Sequence, residues 1–202
     1  MKFGLHNNSF RPVSGRVADI YPQLRERVQW AEANGFDYCS VMDHLWQIPL
    51  VGPAEEPFME AWVTLGAIAA ATERVHLTTM VTSVGYRNPA LLAKMVATLD
   101  LISGGRALLG IGAGNTENEH NAYGYPFPRP GVRLAQLREA VQLIKALWQE
   151  ERATYEGKQF TECTTERYDG PGKWCVAPPS PSRAGMASGP PFKSHQLNRS
   201  TS

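Results

Sequence analysis

The stretch VHLTTMVTSVGYRNPALLAKMVATLDLISGGRALLGI, Val75 to Ile111, holds one complete structural unit. Its first residues alternate, with Val75, Leu77, Thr79 and Val81 on one side, as a strand does. Asn88 then offers a side-chain cap and Pro89 a preset φ, both favoured where a helix begins. Leu92, Met95, Val96 and Leu99 recur at helical spacing as the inward stripe, and Gly104-Gly105 ends the helix. Ala107 to Ile111, almost wholly apolar, follows as a strand expected to be buried on both faces. Strand, helix, strand in that order implies parallel strands joined by a right-handed crossover.

Working outward, the unit repeats. KFGLH (Lys2 to His6) is strand-like, and Leu24, Val28 and Ala31 share one face of a helix from about Ile20 to Asn34 that Gly35 ends. FDYCSVM (Phe36 to Met42) is the second strand, and a second helix runs from about Phe58 to Thr72. After the fourth strand, a helix from about Val132 to Trp148 carries Leu137, Ala140, Val141, Ile144 and Leu147 at helical spacing. Four strand-helix units in strict alternation define an α/β fold, either an open doubly wound sheet or a (β/α)8 barrel. Four units are half of a barrel's eight.

The chain has 202 residues, 43% hydrophobic and 19% charged, with a formal net charge of +1. So balanced a charge, with no basic run, argues against a nucleic-acid partner held through phosphates. The longest apolar stretch, Ala61 to Ala71, lies between Glu60 and Glu73 and is too short to span a bilayer. Three cysteines without metal spacing, and no signal-peptide core in MKFGLHNNSF, make a cytoplasmic location the expectation. From Glu162 onward the texture becomes Pro/Gly/Ser-rich, with Pro171, Pro178, Pro179, Pro181, Pro190 and Pro191 and few large apolar residues. Residues 1–161 are therefore expected to form the folded domain and 162–202 a disordered tail.

In either architecture, ligands bind at the C-terminal ends of the strands. There the sequence places His6-Asn7-Asn8, Asp43-His44, Thr79-Met80-Val81 with Thr82-Ser83, and Gly112-Ala113-Gly114-Asn115 leading to Asn118. Asp43-His44 is an acid beside an imidazole, a pair able to bind a polar ring edge or orient a proton near neutral pH. The alternative is that Asp43 caps the loop and His44 makes a structural hydrogen bond. The run Gly110 to Gly114 lets backbone N–H groups approach a ligand, though Asn115 stands where a dinucleotide fingerprint needs its third glycine. Glu117, Glu119 and His120 lie together without metal-ligand spacing and read as a solvated loop; no metal is expected. Cys39 reads as core, and Trp46 as a possible wall of a pocket.

YRNPALLAKMVATLDLISGGRALLGIGAG (Tyr86 to Gly114) resembles the signature region of the bacterial luciferase-like monooxygenases, nearest their coenzyme F420-dependent oxidoreductase branch. GFDYCSVMDHL (Gly35 to Leu45), EAWVTLGAIAAATERVHLTTMV (Glu60 to Val81) and NEHNAYGYPFP (Asn118 to Pro128) fit the same pattern in the same order. The resemblance implies a (β/α)8 TIM-type barrel, present here as its first four βα units. It also implies F420 or FMN at the barrel mouth, and hydride transfer or monooxygenation of a small organic substrate. Carried over by position, His44 would be the catalytic group, and Asp43 would contact the ring edge or the substrate. Thr79, Met80 and Val81 would form a bulge behind the ring, with a non-prolyl cis peptide at Met80-Val81. Gly112, Ala113, Gly114 and Asn118 would line its pyrimidine side and side chain.

Two departures stand out. Some F420-dependent dehydrogenases carry a glutamate just after the glycine loop, where this chain has Asn115, so acid-base work would fall to His44. The family continues into strands five to eight, whereas this chain turns into the Pro/Gly/Ser tail, which reads as a truncation or frame shift. The expected consequence is an unpaired edge at Ala107 to Ile111 and a wetted apolar inner layer. Self-association or a homo-oligomer should follow, with an inactive remnant or binding-only partner of a full-length paralogue as the alternative to an enzyme.

Overall fold

A computed structural model describes residues 1–150 and 153–160 in full, together with the backbone of 163–164. Strands β1 (Gly4–Asn7), β2 (Tyr38–Val41) and β3 (His76–Thr79) form a parallel sheet in that order, with Leu5, Cys39 and Leu77 in register. Helices α1 (Ile20–Ala33), α2 (Ala61–Ala71), α3 (Pro89–Ser103) and α5 (Pro130–Gln149) supply the opposing apolar layer. Cys39, Val41 and Leu77 meet Leu24, Leu65, Ile68, Val96 and Ile144 in one core. Helix starts follow their chemistry: Asn88 Oδ1 accepts from Ala90 N at 2.8 Å, and the Glu60 carboxylate accepts from Val63 N at 2.6 Å. Gly104 closes α3 in the left-handed region at φ 68°, where a side chain would be strained.

Alternate residues of the sheet, His6, Tyr38, Ser40, His76 and Thr78, turn away from the helices. His6 Nδ1 lies 2.9 Å from Ser40 Oγ, and the Tyr38 and His76 rings are 5.5 Å apart. The expected apolar inner layer is therefore corrected: this face is largely polar, so open water costs it little.

Four further expectations change. The third strand stops at Thr79 and a separate short strand β4 (Thr82–Ser83) follows, the Met80-Val81 peptide between them being cis as the resemblance implied. Val81 accordingly leaves the inward row and is half exposed. The fourth strand is reduced to β5 (Ile111–Gly112), paired parallel with β4, plus a bridge from Ala107 to Leu77. Leu108 between them is 42% exposed rather than buried on both faces, because no strand among the described residues covers its outer side. NTENEH is no solvated loop: Glu117–Ala122 form a short helix, α4, with Glu119 and His120 buried. Cys163–Thr164 (β7), inside the segment expected to be disordered, pair antiparallel with β6 (Thr154–Tyr155). The rest of that tail lies outside the described residues.

Candidate active site

The ends of β2, β3, β4 and β5 converge on a cleft of about 350 Å³. Its floor is set by a chain of hydroxyls: Trp62 Nε1 donates to Thr82 Oγ1 at 3.2 Å, and Thr82 and Thr79 share a hydrogen bond of 2.9 Å. Thr79 Oγ1 then donates to the Gly110 carbonyl at 3.0 Å. Backbone bonds from Thr82 N to Gly110 O and from Val84 N to Gly112 O, both 2.9 Å, lay the glycine loop along β4. So close an approach leaves no room for side chains. A Cβ on Gly112 would sit 2.9 Å from Val81 Cγ2, and one on Gly114 would sit 2.5 Å from Ser83 Oγ. Met80 and Val81 present exposed apolar surface to the same space, 58% and 50% accessible.

The opposite wall is polar. Asp43, 3% exposed, is held in a bidentate pair by Arg87, with contacts of 2.6 and 2.9 Å. Arg87 Nη2 also reaches Glu60 Oε1 at 2.5 Å, tying the loop after β2 to the start of α2. Burial works against the Arg87 charge, but Asp43 and Glu60 outweigh it and raise the guanidinium above its ordinary range. The partner of His44 is thus not Asp43 but Glu119 of α4, whose Oε1 lies 2.9 Å from His44 Nδ1. Tyr86 Oη donates to Glu119 Oε2, and Leu45 N donates to the same oxygen at 3.3 Å. Burial alone would raise the Glu119 carboxyl; the hydrogen bonds from His44 and Tyr86, the charge of His44 and the Leu45 amide together hold it low. Burial and the adjacent Glu119 push the Tyr86 phenol upward.

Of the residues the sequence singled out, Asp43, His44, Met80, Val81, Gly112, Ala113 and Gly114 line this cleft. Thr79 does not; it is buried beneath, bracing the backbone. Asn118 is exposed, its Oδ1 accepting from Glu119 N at 3.0 Å. Trp46 packs on Tyr123, ring centres 5.7 Å apart. Ser83, also among the polar groups expected after the third strand, lines the cleft too; sequence reasoning missed Tyr86, Arg87 and Glu119. The local signal for Glu119 was its place among polar neighbours, which hid that α4 turns it inward. Among the described residues no group of histidine, cysteine and acidic side chains is placed to hold a metal. Nor is any helix among them long and apolar enough to cross a membrane.

The family model described as luciferase-like monooxygenase matches residues 1–185. The chain is 40% identical over 174 residues to an F420-dependent glucose-6-phosphate dehydrogenase of Kineococcus radiotolerans, covering 85% of this chain and 48% of that protein. It is 38% identical over 151 residues to the enzyme of the same name from Segniliparus rotundus, covering 73% of this chain and 44% of that one. Among solved structures, an F420-dependent secondary alcohol dehydrogenase in complex with an F420-acetone adduct superposes with a TM-score of 0.70 at 27% identity, over 88% of this chain and 49% of that one. A Baeyer-Villiger monooxygenase component from Pseudomonas putida in complex with FMN, 22% identical, shares the fold with a TM-score of 0.68 over 89% of this chain and 50% of that one. The chain spans about half the length of the relatives it matches. A parallel α/β fold with its cleft at the strand ends, and a family match over most of its length, together make this chain a member of the luciferase-like monooxygenase family.

Proposed function

We propose that this cleft holds the tricyclic ring of coenzyme F420, with FMN the alternative, in an oxidoreductase acting on a small organic substrate. The observation that carries the reading is that His44 shares one cleft with the bare Gly112–Gly114 backbone and the exposed Met80–Val81 edge. The residues fit a flat heterocycle: two glycines stand where any Cβ would fill the space, and an apolar wall faces a polar one. The names of the relatives favour F420 over FMN.

When bound, the deazaflavin would supply hydride acceptance or donation, and reduced FMN would supply reaction with oxygen. Met80 and Val81 would exclude water from one side of the ring. Gly112 to Gly114 would bring backbone N–H groups to its polar edge. His44 would move the proton that accompanies the reaction, with no carboxylate at Asn115 to share that work. Asp43, with both oxygens already engaged by Arg87, would shape the ring's edge more than bind it. Thr79 would act only through the backbone it braces, and Asn118 only by steadying α4.

Titrating the purified chain with F420 and, separately, with FMN tests this. Saturable quenching of F420 fluorescence is expected, tighter than any FMN response and weakened by Gly114→Ala. That substitution meets Ser83 Oγ and forces an alanine to φ 77°, a backbone cost of roughly 1–2 kcal/mol. Binding of neither cofactor overturns the proposal. The alternative of a binding-only partner is favoured by the open outer side of Leu108. Under it, F420 binds but a panel of alcohols and sugar phosphates produces no reduced F420.

A further inference from the structure

His44 Nδ1 faces a carboxylate that is wholly buried and already accepts from Tyr86 and from Leu45 N. An ionised carboxylate has acceptor sites only, so the nitrogen it meets must carry the proton. The other nitrogen, Nε2, has no hydrogen-bond partner among the described residues and is not a buried orphan, while the ring lines the cleft. We propose that Glu119, clamped by Tyr86 and the Leu45 amide, is the positioning residue that fixes His44 in its Nδ1–H form, so that Nε2 offers a lone pair to whatever enters the cleft.

The clamp is built from three separate places in the chain. Glu119 comes from α4, Tyr86 from the loop after β4, and Leu45 N from the loop after β2. The other charged groups at this wall, Asp43, Arg87 and Glu60, are engaged with one another and leave Glu119 as the ring's carboxylate. His120, next in sequence, cannot substitute. Its Nδ1 donates to the Thr116 carbonyl at 2.9 Å, and its ring packs against Tyr86 and Phe127 at 4.7 and 4.8 Å. A neutral histidine in water carries its proton on either nitrogen, so a fixed tautomer is something the fold imposes. With Nε2 unprotonated, His44 is ready to take a proton from a bound O–H or N–H group and unready to give one. That consequence rests on the cofactor reading above; the tautomer itself does not.

The test is 15N NMR of the full chain labelled at histidine, without cofactor, at a pH where the ring is neutral, the signal assigned with His44→Gln. A protonated-type Nδ1 resonance and an unprotonated-type Nε2 resonance are expected. In Glu119→Leu the pattern should be lost toward a mixture of tautomers, and in Tyr86→Phe, which keeps the carboxylate, it should persist. A wild-type ring carrying its proton on Nε2 overturns the inference whatever the variants do, as does an unchanged pattern in a folded Glu119→Leu. If that variant does not fold, the wild-type spectrum and Tyr86→Phe still decide. The F420 titration on the same samples is read independently, so failure of the cofactor reading with an intact Nδ1–H pattern is a distinct result.

Discussion

Glu119 shows how far a single residue's chemistry depends on where the fold turns it. In the sequence it is one of two acids in a polar hexapeptide; in the fold it has no exposed side chain and three donors. Because its carboxyl is held below the ordinary value of 4.5, ionised Glu119 favours the folded state. The contribution is full above the unfolded value and is lost as pH falls through the folded one. Urea unfolding of the wild type and Glu119→Gln between pH 7 and pH 3 should therefore show a stability difference that is largest near neutrality and shrinks below about pH 4.5. A difference that is flat across that range would mean the carboxylate is not held by its donors. The same residue marks the limit of what the sequence could say. Asp43-His44 is legible as a pair by adjacency, but its members are engaged elsewhere, by Arg87 and Glu119. Those partners lie 44 and 75 positions away, beyond any local pattern.

At the scale of elements, legibility tracks how local the deciding interaction is. Helix α3 could be bounded from sequence because Asn88, Pro89 and Gly104 act on their own turn of backbone. The glycine loop was visible for the same reason. Strand β4 and the shortened fourth strand were not, because their extents are set by pairing with each other, about 30 positions apart in the chain. Arg106 is the clearest element-scale contact of this non-local kind. Buried, it donates to the carbonyls of Ala69, Thr72, Val75 and Ser103 and to Thr72 Oγ1, at 2.7–3.0 Å. It thereby caps the last turns of α2 and α3 and fixes both to the start of β3. Arg106→Met would keep the bulk and strand those acceptors without donors. A loss of on the order of 3 kcal/mol is expected by chemical unfolding, with Arg106→Lys recovering only part because an ammonium lacks the planar fork. A loss below about 0.5 kcal/mol in the methionine variant would place the clamp's acceptors in contact with water instead.

For the whole molecule, the question is what the open side of the sheet costs. Wetting apolar area forfeits about 25 cal/mol per Å², so an inner face of leucine and valine would be expensive. The residues turned away from the helices, His6, Tyr38, Ser40, His76 and Thr78, are polar or partly so, and two of them already bond to each other. Val63, Leu91, Leu101 and Ile102 are exposed on the helices, but along the strands the exposed apolar liability is therefore local. It sits at the segment from Ala107 to Ile111, where Leu108 N bonds to Leu77 O at 2.8 Å on one side while the other side has no neighbouring strand among the described residues. An unpaired edge bearing a leucine invites a second edge to add to it, and a charge there opposes that pairing. Self-association of the full chain is thus expected to run through this segment, and Leu108→Lys should shift sedimentation profiles toward monomer without lowering the melting temperature of the monomer. The control is Val63→Lys on α2, where the valine is 74% exposed against 42% for Leu108 and lies on a helix rather than a strand. If the lysine on α2 disperses the protein and the one at position 108 does not, association belongs to the helical layer and the edge is inert.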